Sequence, residues 1–182
     1  MITRRRFLHT AAATTVAGTA ALFSPPGFAR SAPDRVLTMH NLHTGERVRA
    51  TYWAEGHYVG EELAALDHFM RDFRRHTQVR IDRQLYDLLH VLQHQVGHRG
   101  TYELISGYRS PATNAMLRRT TNGVAKHSMH TLGKAADIRL PGVELKHLRR
   151  AALSLHAGGV GYYPHSDFIH VDTGRPRHWR GA

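Results

Sequence analysis

The sequence contains no cysteine. This absence excludes disulfide bonds, zinc sites built from thiolates and a cysteine nucleophile. In an oxidising compartment the fold must therefore be stabilised by its hydrophobic core or by a metal bound through histidine and carboxylate side chains. The sequence also lacks internal repeats and low-complexity tracts, and after residue 29 it has no apolar run long enough to span a membrane.

The first 29 residues have the pattern of a removable export signal. A basic start is followed by an apolar run from Ala11 to Phe23, a proline pair, and a small residue, Ala29, where a signal peptidase would cleave. The segment TRRRFL at positions 3–8 resembles a twin-arginine signal, which implies export of an already folded protein to the bacterial periplasm. An ordinary Sec signal with a crowded basic start is the alternative.

Acidic residues are scarce: 14 Asp and Glu stand against 25 Lys and Arg, which gives a formal charge of +11. Removal of the leader, which holds three arginines and no acid, leaves +8. A basic surface favours polyanions, either nucleic acid or the carboxylate-rich peptide stems of peptidoglycan. The predicted export of the protein favours the peptide stems of peptidoglycan as its partner. The basic tail from Arg175 to Arg180 is more typical of a solvated terminus than of a nucleic-acid site.

Residues 30–34 are interpreted as a linker, and residues 35–182 as one globular domain. Alternating and helical periodicities predict an α+β fold with a mainly antiparallel sheet flanked by helices. The expected strands are Arg35–His40, Glu46–Trp53, Tyr102–Tyr108, Ala135–Leu140, Val160–Tyr163 and Phe168–Thr173. The expected helices are an apolar pattern from Leu63 to Phe73, a segment capped by Asp82 and stopped at Gly97, Pro111–Arg119, and Glu144–His156.

Sixteen histidines make accidental metal-like spacings common. His90, His94 and His98 share a helical four-residue spacing, but no acidic residue accompanies them as in zincins. A polar, exposed helix face accounts for these three, so we do not interpret them as metal ligands.

A second group of polar side chains lies in the C-terminal half. His130 precedes a glycine turn, and strand alternation directs Asp137 away from the core, toward a cleft where its carboxylate stays hydrated or binds a metal. The same alternation places His170 and Asp172 on one face of a later strand. Two imidazoles and one carboxylate, with a fourth position open to water, are typical of a catalytic zinc site. The spacing alone is not specific, because His165 and Asp172 also lie seven residues apart.

Four ordered motifs surround these residues and make the pattern specific. They are Ser106-Gly107-Tyr108-Arg109-Ser110, His130-x-x-Gly133-x-Ala135-x-Asp137, Gly158-Gly159-Val160-Gly161-Tyr162-Tyr163 and His170-Val171-Asp172-Thr173-Gly174. Together with Asn41-Leu42-His43-Thr44-Gly45-Glu46, this order resembles the M15-type zinc peptidases, in the branch of murein endopeptidase K. The resemblance implies the fold shared by D-alanyl-D-alanine peptidases and Hedgehog domains, one zinc ion, and cleavage of peptide cross-links in peptidoglycan.

The resemblance also implies roles for individual residues. His130, Asp137 and His170 match the metal ligands of the family, and Arg109 matches an arginine that reaches the substrate carbonyl or the charge developing on it. The general base is less regular: several relatives carry a glutamate three residues before the last histidine ligand, or a histidine two before it, where this sequence has Asp167 and Phe168. Asp167 and Asp172 are therefore both candidates for the base, and Asp172 alternatively orients a ligand.

The resemblance leaves the scissile bond open. It favours the cross-link between two diaminopimelate residues, with the D-alanyl-diaminopimelate cross-link and removal of terminal D-alanine as alternatives. A non-catalytic module that binds peptidoglycan through the same fold is a further alternative. Tyr108, Tyr162 and Tyr163 are candidates for lining the substrate site.

Overall fold

A computed structural model describes residues 33–121 and 123–181. The export signal predicted for residues 1–29 and most of the predicted linker lie outside the described residues. Within the described part of the chain, no helix has the length and apolar character needed to cross a membrane.

The centre of the fold is one eight-stranded sheet. Its strands are β1 (Arg35–Asn41), β2 (Arg47–Ala54), β3 (His57–Tyr58), β4 (Tyr102–Ser106), β5 (Ala135–Arg139), β6 (Gly159–Tyr163), β7 (Phe168–Asp172) and β8 (Arg177–Arg180). They are arranged in the order β3-β2-β1-β4-β5-β7-β6-β8. All neighbours are antiparallel except β1 with β4 and β6 with β8. The prediction of an α+β fold with a mainly antiparallel sheet is confirmed.

In the part of the chain that the structure describes, four helices and one 3₁₀ turn connect the strands. They are α1 (Gly60–Phe69), α2 (Arg83–Gln95), α3 (Pro111–Thr120), the 3₁₀ turn Met129–Leu132, and α4 (Leu145–Ser154). The predicted cap of α2 is confirmed, because the Asp82 side chain accepts a hydrogen bond from the Gln84 amide. Ser110 caps α3 in the same way through the Thr113 amide, directly before the proline that begins the helix.

The first helix is shorter than its sequence pattern predicts. It ends at Phe69, and the following residues form a tight turn closed by a bridge between Asp72 and Thr77. Phe73 therefore lies outside the helix and stacks on the His43 ring at 4.7 Å. The helical spacing of the apolar residues continues past Phe69. The helix nevertheless ends there, because the turn that follows makes hydrogen bonds with the loop at residues 107–110.

The two faces of the sheet have different partners. Helices α1, α2 and α4 cover one face, where alternate strand residues such as Tyr52, Tyr102 and Ile138 are fully buried. Burial of each large side chain stabilises the fold by about 2 kcal/mol. The opposite face of β4, β5 and β7, called the polar face below, carries Glu103, Asp137, Arg139, His170 and Asp172.

The C-terminal tail, interpreted from the sequence as a solvated terminus, forms the edge strand β8 of the sheet, and Arg177, His178 and Arg180 remain exposed there. Strand β8 pairs in parallel with β6 and places Trp179 opposite Gly161. A Cβ atom at Gly161 would lie 2.7 Å from the Trp179 ring, so glycine is required for this close approach. The segment Arg-His-Trp-Arg has no apolar alternation, and its pairing depends on contacts made elsewhere in the fold.

Candidate metal centre

Three side chains from three elements converge on the polar face. His130 lies in the 3₁₀ turn, Asp137 in the middle of β5 and His170 in the middle of β7, directly opposite Asp137 in the strand register. Gly133 ends the 3₁₀ turn with a left-handed backbone, φ 65°, which lets the chain enter β5 at once. All three residues are buried, with at most 7% of their surface exposed. Asp137 is therefore shielded from bulk water, whereas the sequence left hydration and metal binding open.

The distances between the inner atoms fit a small cation. His130 Nε2 lies 3.2 Å from Asp137 Oδ1 and 3.1 Å from His170 Nδ1. His170 Nδ1 and Asp137 Oδ1 are 2.9 Å apart. Ligands about 2.0–2.1 Å from a tetrahedral zinc ion are separated by about 3.3 Å, which is close to these values. Among residues 33–121 and 123–181, His130, Asp137 and His170 form the one group of histidine and acid side chains whose donor atoms are close enough to share a metal ion.

The outer nitrogens determine which ring atoms face the centre. His130 Nδ1–H donates to the Gly107 carbonyl at 2.7 Å, and His170 Nε2–H donates to Asp172 Oδ2 at 2.9 Å. In the neutral rings this leaves the lone pairs of His130 Nε2 and His170 Nδ1 directed toward each other. Two facing lone pairs beside a carboxylate are the arrangement that a bound cation stabilises, and hydrogen bonds to the outer nitrogens are typical of histidine ligands.

Asp172 accepts the hydrogen bond that holds the His170 ring in place. Its side chain is fully buried and also accepts hydrogen bonds from the Gly159 and Gly174 amides, at 3.0 and 2.8 Å. Arg177 approaches it with two nitrogens, at 2.6 and 3.0 Å. Burial alone would raise the pKa of Asp172, but the hydrogen bonds from His170, Arg177 and the amides outweigh burial and lower it. Asp172 therefore stays charged and serves as a fixed acceptor for the imidazole.

Arg109 lies against the carboxylate of the cluster. Its Nη2 donates to Asp137 Oδ2, and its Nε donates to Ser106 Oγ at 2.8 Å. The arginine therefore occupies one oxygen of Asp137, while the other oxygen faces the two imidazoles. Burial alone would raise the pKa of Asp137, but His130, His170 and Arg109 outweigh burial and hold that pKa well below its usual range.

The two imidazoles respond differently to this environment. Burial lowers the pKa of His130, and the Asp137 carboxylate only partly offsets this effect. Burial also acts to lower the pKa of His170, but the carboxylates of Asp137 and Asp172 outweigh it, and the net shift is upward. A proton on His170 competes with a metal ion for Nδ1, so metal affinity should decrease as the pH falls through the raised pKa.

The loop that carries Arg109 is anchored by a residue that sequence reasoning missed. Asp72, 1% exposed, accepts a hydrogen bond from the Ser110 amide at 2.9 Å. The Tyr108 amide donates to the Met70 carbonyl at 2.7 Å, and a Cβ at Gly107 would lie 2.5 Å from that same oxygen. The loop is thus pressed against the turn after α1, which positions both Arg109 and the Gly107 carbonyl that receives His130 Nδ1–H. No local sequence pattern marks Asp72 for this role.

The two candidate bases lie in different surroundings. Asp172 is behind His170 and fully buried, whereas Asp167 lies in the turn before β7, where its side chain is 63% exposed. Asp167 is outside the cluster of His130, Asp137 and His170, and its carboxylate pairs with Arg139 at 3.2 Å.

Aromatic side chains lie beside the cluster. The Trp179 ring centre is 5.1 Å from that of His170, and Trp179 Nε1 donates to Tyr163 Oη at 2.9 Å. Tyr163 in turn stacks on Phe168 at 4.5 Å. Of the tyrosines suggested for the substrate site, Tyr163 lies in this aromatic group, whereas Tyr162 packs into the core beneath the helices.

Comparison with known proteins identifies close relatives. Residues 29–179 match the M15 peptidase family described as peptidoglycan L,D-endopeptidase MepK. Peptidoglycan L,D-endopeptidase MepK of Escherichia coli K12 is 51% identical over 162 residues, which cover 88% of this chain and 89% of the relative. The probable peptidoglycan L,D-endopeptidase MepK of Haemophilus influenzae is 45% identical over 149 residues, covering 81% of this chain and 80% of the relative. No solved structure matches significantly.

Proposed function

Because the chain belongs to the M15 peptidase family of peptidoglycan L,D-endopeptidase MepK, it is a peptidoglycan endopeptidase, and we propose that it uses one zinc ion to hydrolyse the cross-link between two diaminopimelate residues. The observation that supports a zinc ion is the pair of inward ring nitrogens, His130 Nε2 and His170 Nδ1, which lie 3.1 Å apart beside Asp137. The names of the relatives support the choice of cross-link.

We assign the residues of the centre different roles in the reaction. When bound, zinc would lower the pKa of a water molecule to about 7 and polarise the scissile carbonyl. His130, Asp137 and His170 would hold the ion, and the hydrogen bonds on the outer nitrogens keep both imidazoles in the required orientation. Arg109 places a cation at the same centre, where negative charge develops on the carbonyl oxygen during attack.

Asp167 suits the role of proton acceptor better than Asp172. The Asp172 carboxylate is saturated by hydrogen bonds and faces the outer side of His170, away from the inner nitrogens. Among the described residues Asp167 has one side-chain partner, Arg139, in an exposed ion pair of a kind worth about 0–1 kcal/mol. Rotation away from Arg139 therefore costs little, and we assign Asp167 to accept the proton of the attacking water and deliver it to the leaving amine.

Two asparagine substitutions separate these roles. Asp172→Asn should weaken zinc affinity by about 10–100-fold, because the His170 ring loses its charged acceptor. Asp167→Asn should leave zinc affinity unchanged and lower kcat by about 10²–10⁴-fold, the usual contribution of a positioned base. Competition with a chromogenic chelator measures the affinity, and muropeptide hydrolysis measures kcat. The opposite pattern, with zinc lost in Asp167→Asn and turnover alone lost in Asp172→Asn, would exchange the two assignments.

Digestion of defined muropeptides tests the proposed reaction. Purified mature protein should split dimers joined through two diaminopimelate residues into monomers, lose this activity after treatment with a chelator, and regain it when zinc is restored. Mass spectrometry of the products identifies the bond. Cleavage confined to D-alanyl-diaminopimelate dimers, or release of terminal D-alanine alone, would reassign the substrate, and metal-replete protein that binds sacculi without cleaving them would overturn hydrolysis.

The cellular place of this reaction is part of the proposal. Peptidoglycan lies outside the cytoplasmic membrane, and the twin-arginine pattern at residues 3–8 supports delivery of the folded protein to the periplasm. Export of a folded chain would also allow the metal to be bound before transport.

A further inference from the structure

A second charged cluster lies on the polar face, outside the metal centre. Arg139 Nε donates to Glu103 Oε2 at 2.5 Å, directly across the β4–β5 register. Its Nη1 donates to Asp167 Oδ2 at 3.2 Å. Glu103 and Arg139 have no role in holding the proposed metal, and the Arg139 side chain remains 36% exposed. The cluster is therefore accessible to a ligand.

The position of this cluster relative to the metal centre is set by β5. Arg139 follows Asp137 by two residues, so both side chains point to the same face of the sheet. A strand rises about 3.4 Å per residue, which places the two backbone positions about 7 Å apart. A substrate that extends along β5 from the metal centre thus reaches the strand position of Arg139 about 7 Å away.

The proposed substrate has a charged group at a matching distance. The diaminopimelate residue that contributes the scissile carbonyl ends its side chain in a second amino-acid centre, with one ammonium and one carboxylate group. Five single bonds separate the carbonyl carbon from this centre, so an extended side chain reaches about 6 Å. A D-alanine residue in the same place has only a methyl group.

We propose that Glu103 and Arg139 form a subsite for this zwitterionic end, and that the subsite selects diaminopimelate over D-alanine as the carbonyl donor. Arg139 binds the carboxylate, since a guanidinium matches carboxylate geometry with two parallel hydrogen bonds. Glu103 accepts hydrogen bonds from the ammonium group. The substrate carboxylate displaces Asp167, which is the more exposed of the two acids on Arg139. This inference rests on the proposed function for the identity of the substrate.

Binding of three stem tripeptides tests the subsite without depending on turnover. The tripeptides are identical except for the last residue, which is meso-diaminopimelate, L-lysine without the side-chain carboxylate, or L-norleucine without either charge. The wild-type protein should bind the diaminopimelate peptide about 10–100-fold more tightly than the lysine peptide, as expected for a charge-assisted contact. The lysine peptide should in turn bind more tightly than the norleucine peptide. Isothermal titration calorimetry on the zinc-loaded protein measures all three dissociation constants.

Three variants assign the two preferences to residues. In Arg139→Ala the ratio between the diaminopimelate and lysine peptides should fall to about 1, and Arg139→Lys should restore part of it. In Glu103→Gln the ratio between the lysine and norleucine peptides should fall instead. Arg49→Ala, which removes an exposed arginine from β2, is the matched control and should preserve both ratios. Ratios are used because general damage to the site affects all three peptides equally.

The outcomes are separable from those of the proposed function. Equal affinity of the wild-type protein for the three tripeptides would overturn the subsite, and so would an Arg139→Ala variant that keeps the wild-type ratio or weakens every peptide by the same factor. Failure to hydrolyse any cross-linked dimer, with the binding ratios as expected, would instead reject the proposed reaction and retain the subsite.

Discussion

Replacement of His170 by alanine is expected to abolish both zinc binding and hydrolysis. The substitution removes one of the three proposed ligands and leaves His130 and Asp137 to hold the ion. A single donor to the oxyanion is worth about 10²–10³ in rate, and the proposed zinc ion would supply both carbonyl polarisation and the nucleophile. The loss in kcat should therefore exceed about 10³-fold. Elemental analysis of the dialysed protein measures zinc, and hydrolysis of diaminopimelate-linked dimers measures kcat.

The chain offers a matched control for this substitution. His165 is exposed in the turn before β7 and shares the seven-residue spacing to Asp172 that made the sequence pattern ambiguous. His165→Ala should retain full zinc content and activity. His130→Ala removes a ligand from the 3₁₀ turn rather than from the sheet, so damage to β7 cannot explain a shared loss. Zinc at one equivalent in both ligand variants, together with wild-type turnover, would refute the metal centre.

Replacement of Arg109 by alanine is expected to lower kcat by about 10²–10³-fold while most of the zinc is retained. The Arg109 guanidinium donates to Asp137 Oδ2, so its removal leaves the donor atoms of the proposed metal centre in place and removes the positive charge that we propose stabilises the developing oxyanion. Because Arg109 helps to lower the pKa of Asp137, that pKa should rise in the variant. Zinc affinity should consequently become more sensitive to acid. Zinc titrations at several pH values, paired with kcat, measure both effects.

Two further variants define the role of Arg109. Arg109→Lys keeps the charge but cannot contact Ser106 and Asp137 with one planar group, so it should recover only part of the activity. Arg118→Ala removes an exposed arginine from α3 and should behave as the wild type. Complete loss of zinc in Arg109→Ala would show that the arginine supports the metal ligand rather than the reaction.

Periodicity alone predicted much of the fold. Residues that alternate along β5 and β7 bury Ile138, Ile169 and Val171, and this local rule also places Asp137 and His170 on the opposite face. The caps of α2 and α3 depend on side chains two and three residues away, so they too are visible in the sequence. Strand β8 and the early end of α1 were not predictable in this way, because each depends on contacts with distant segments.

For the candidate site too, the sequence predicted some features and only the tertiary structure decided the others. From the sequence, local alternation placed Asp137 and His170 on the face opposite the core, and the resemblance carried by the ordered motifs made them candidate metal ligands with His130, and made Arg109 a candidate for contact with the substrate carbonyl. Only the tertiary structure decided which ring nitrogens face inward, because the acceptor for His130 Nδ1 is a carbonyl 23 residues away. It also separated Asp172, saturated by hydrogen bonds behind His170, from the exposed Asp167, and revealed Asp72, which holds a loop 38 residues away. The sequence determined which chemical groups are available and which face of each strand they occupy. Their orientation and protonation depend on partners brought together by folding, and such partners leave no periodic signal in the chain.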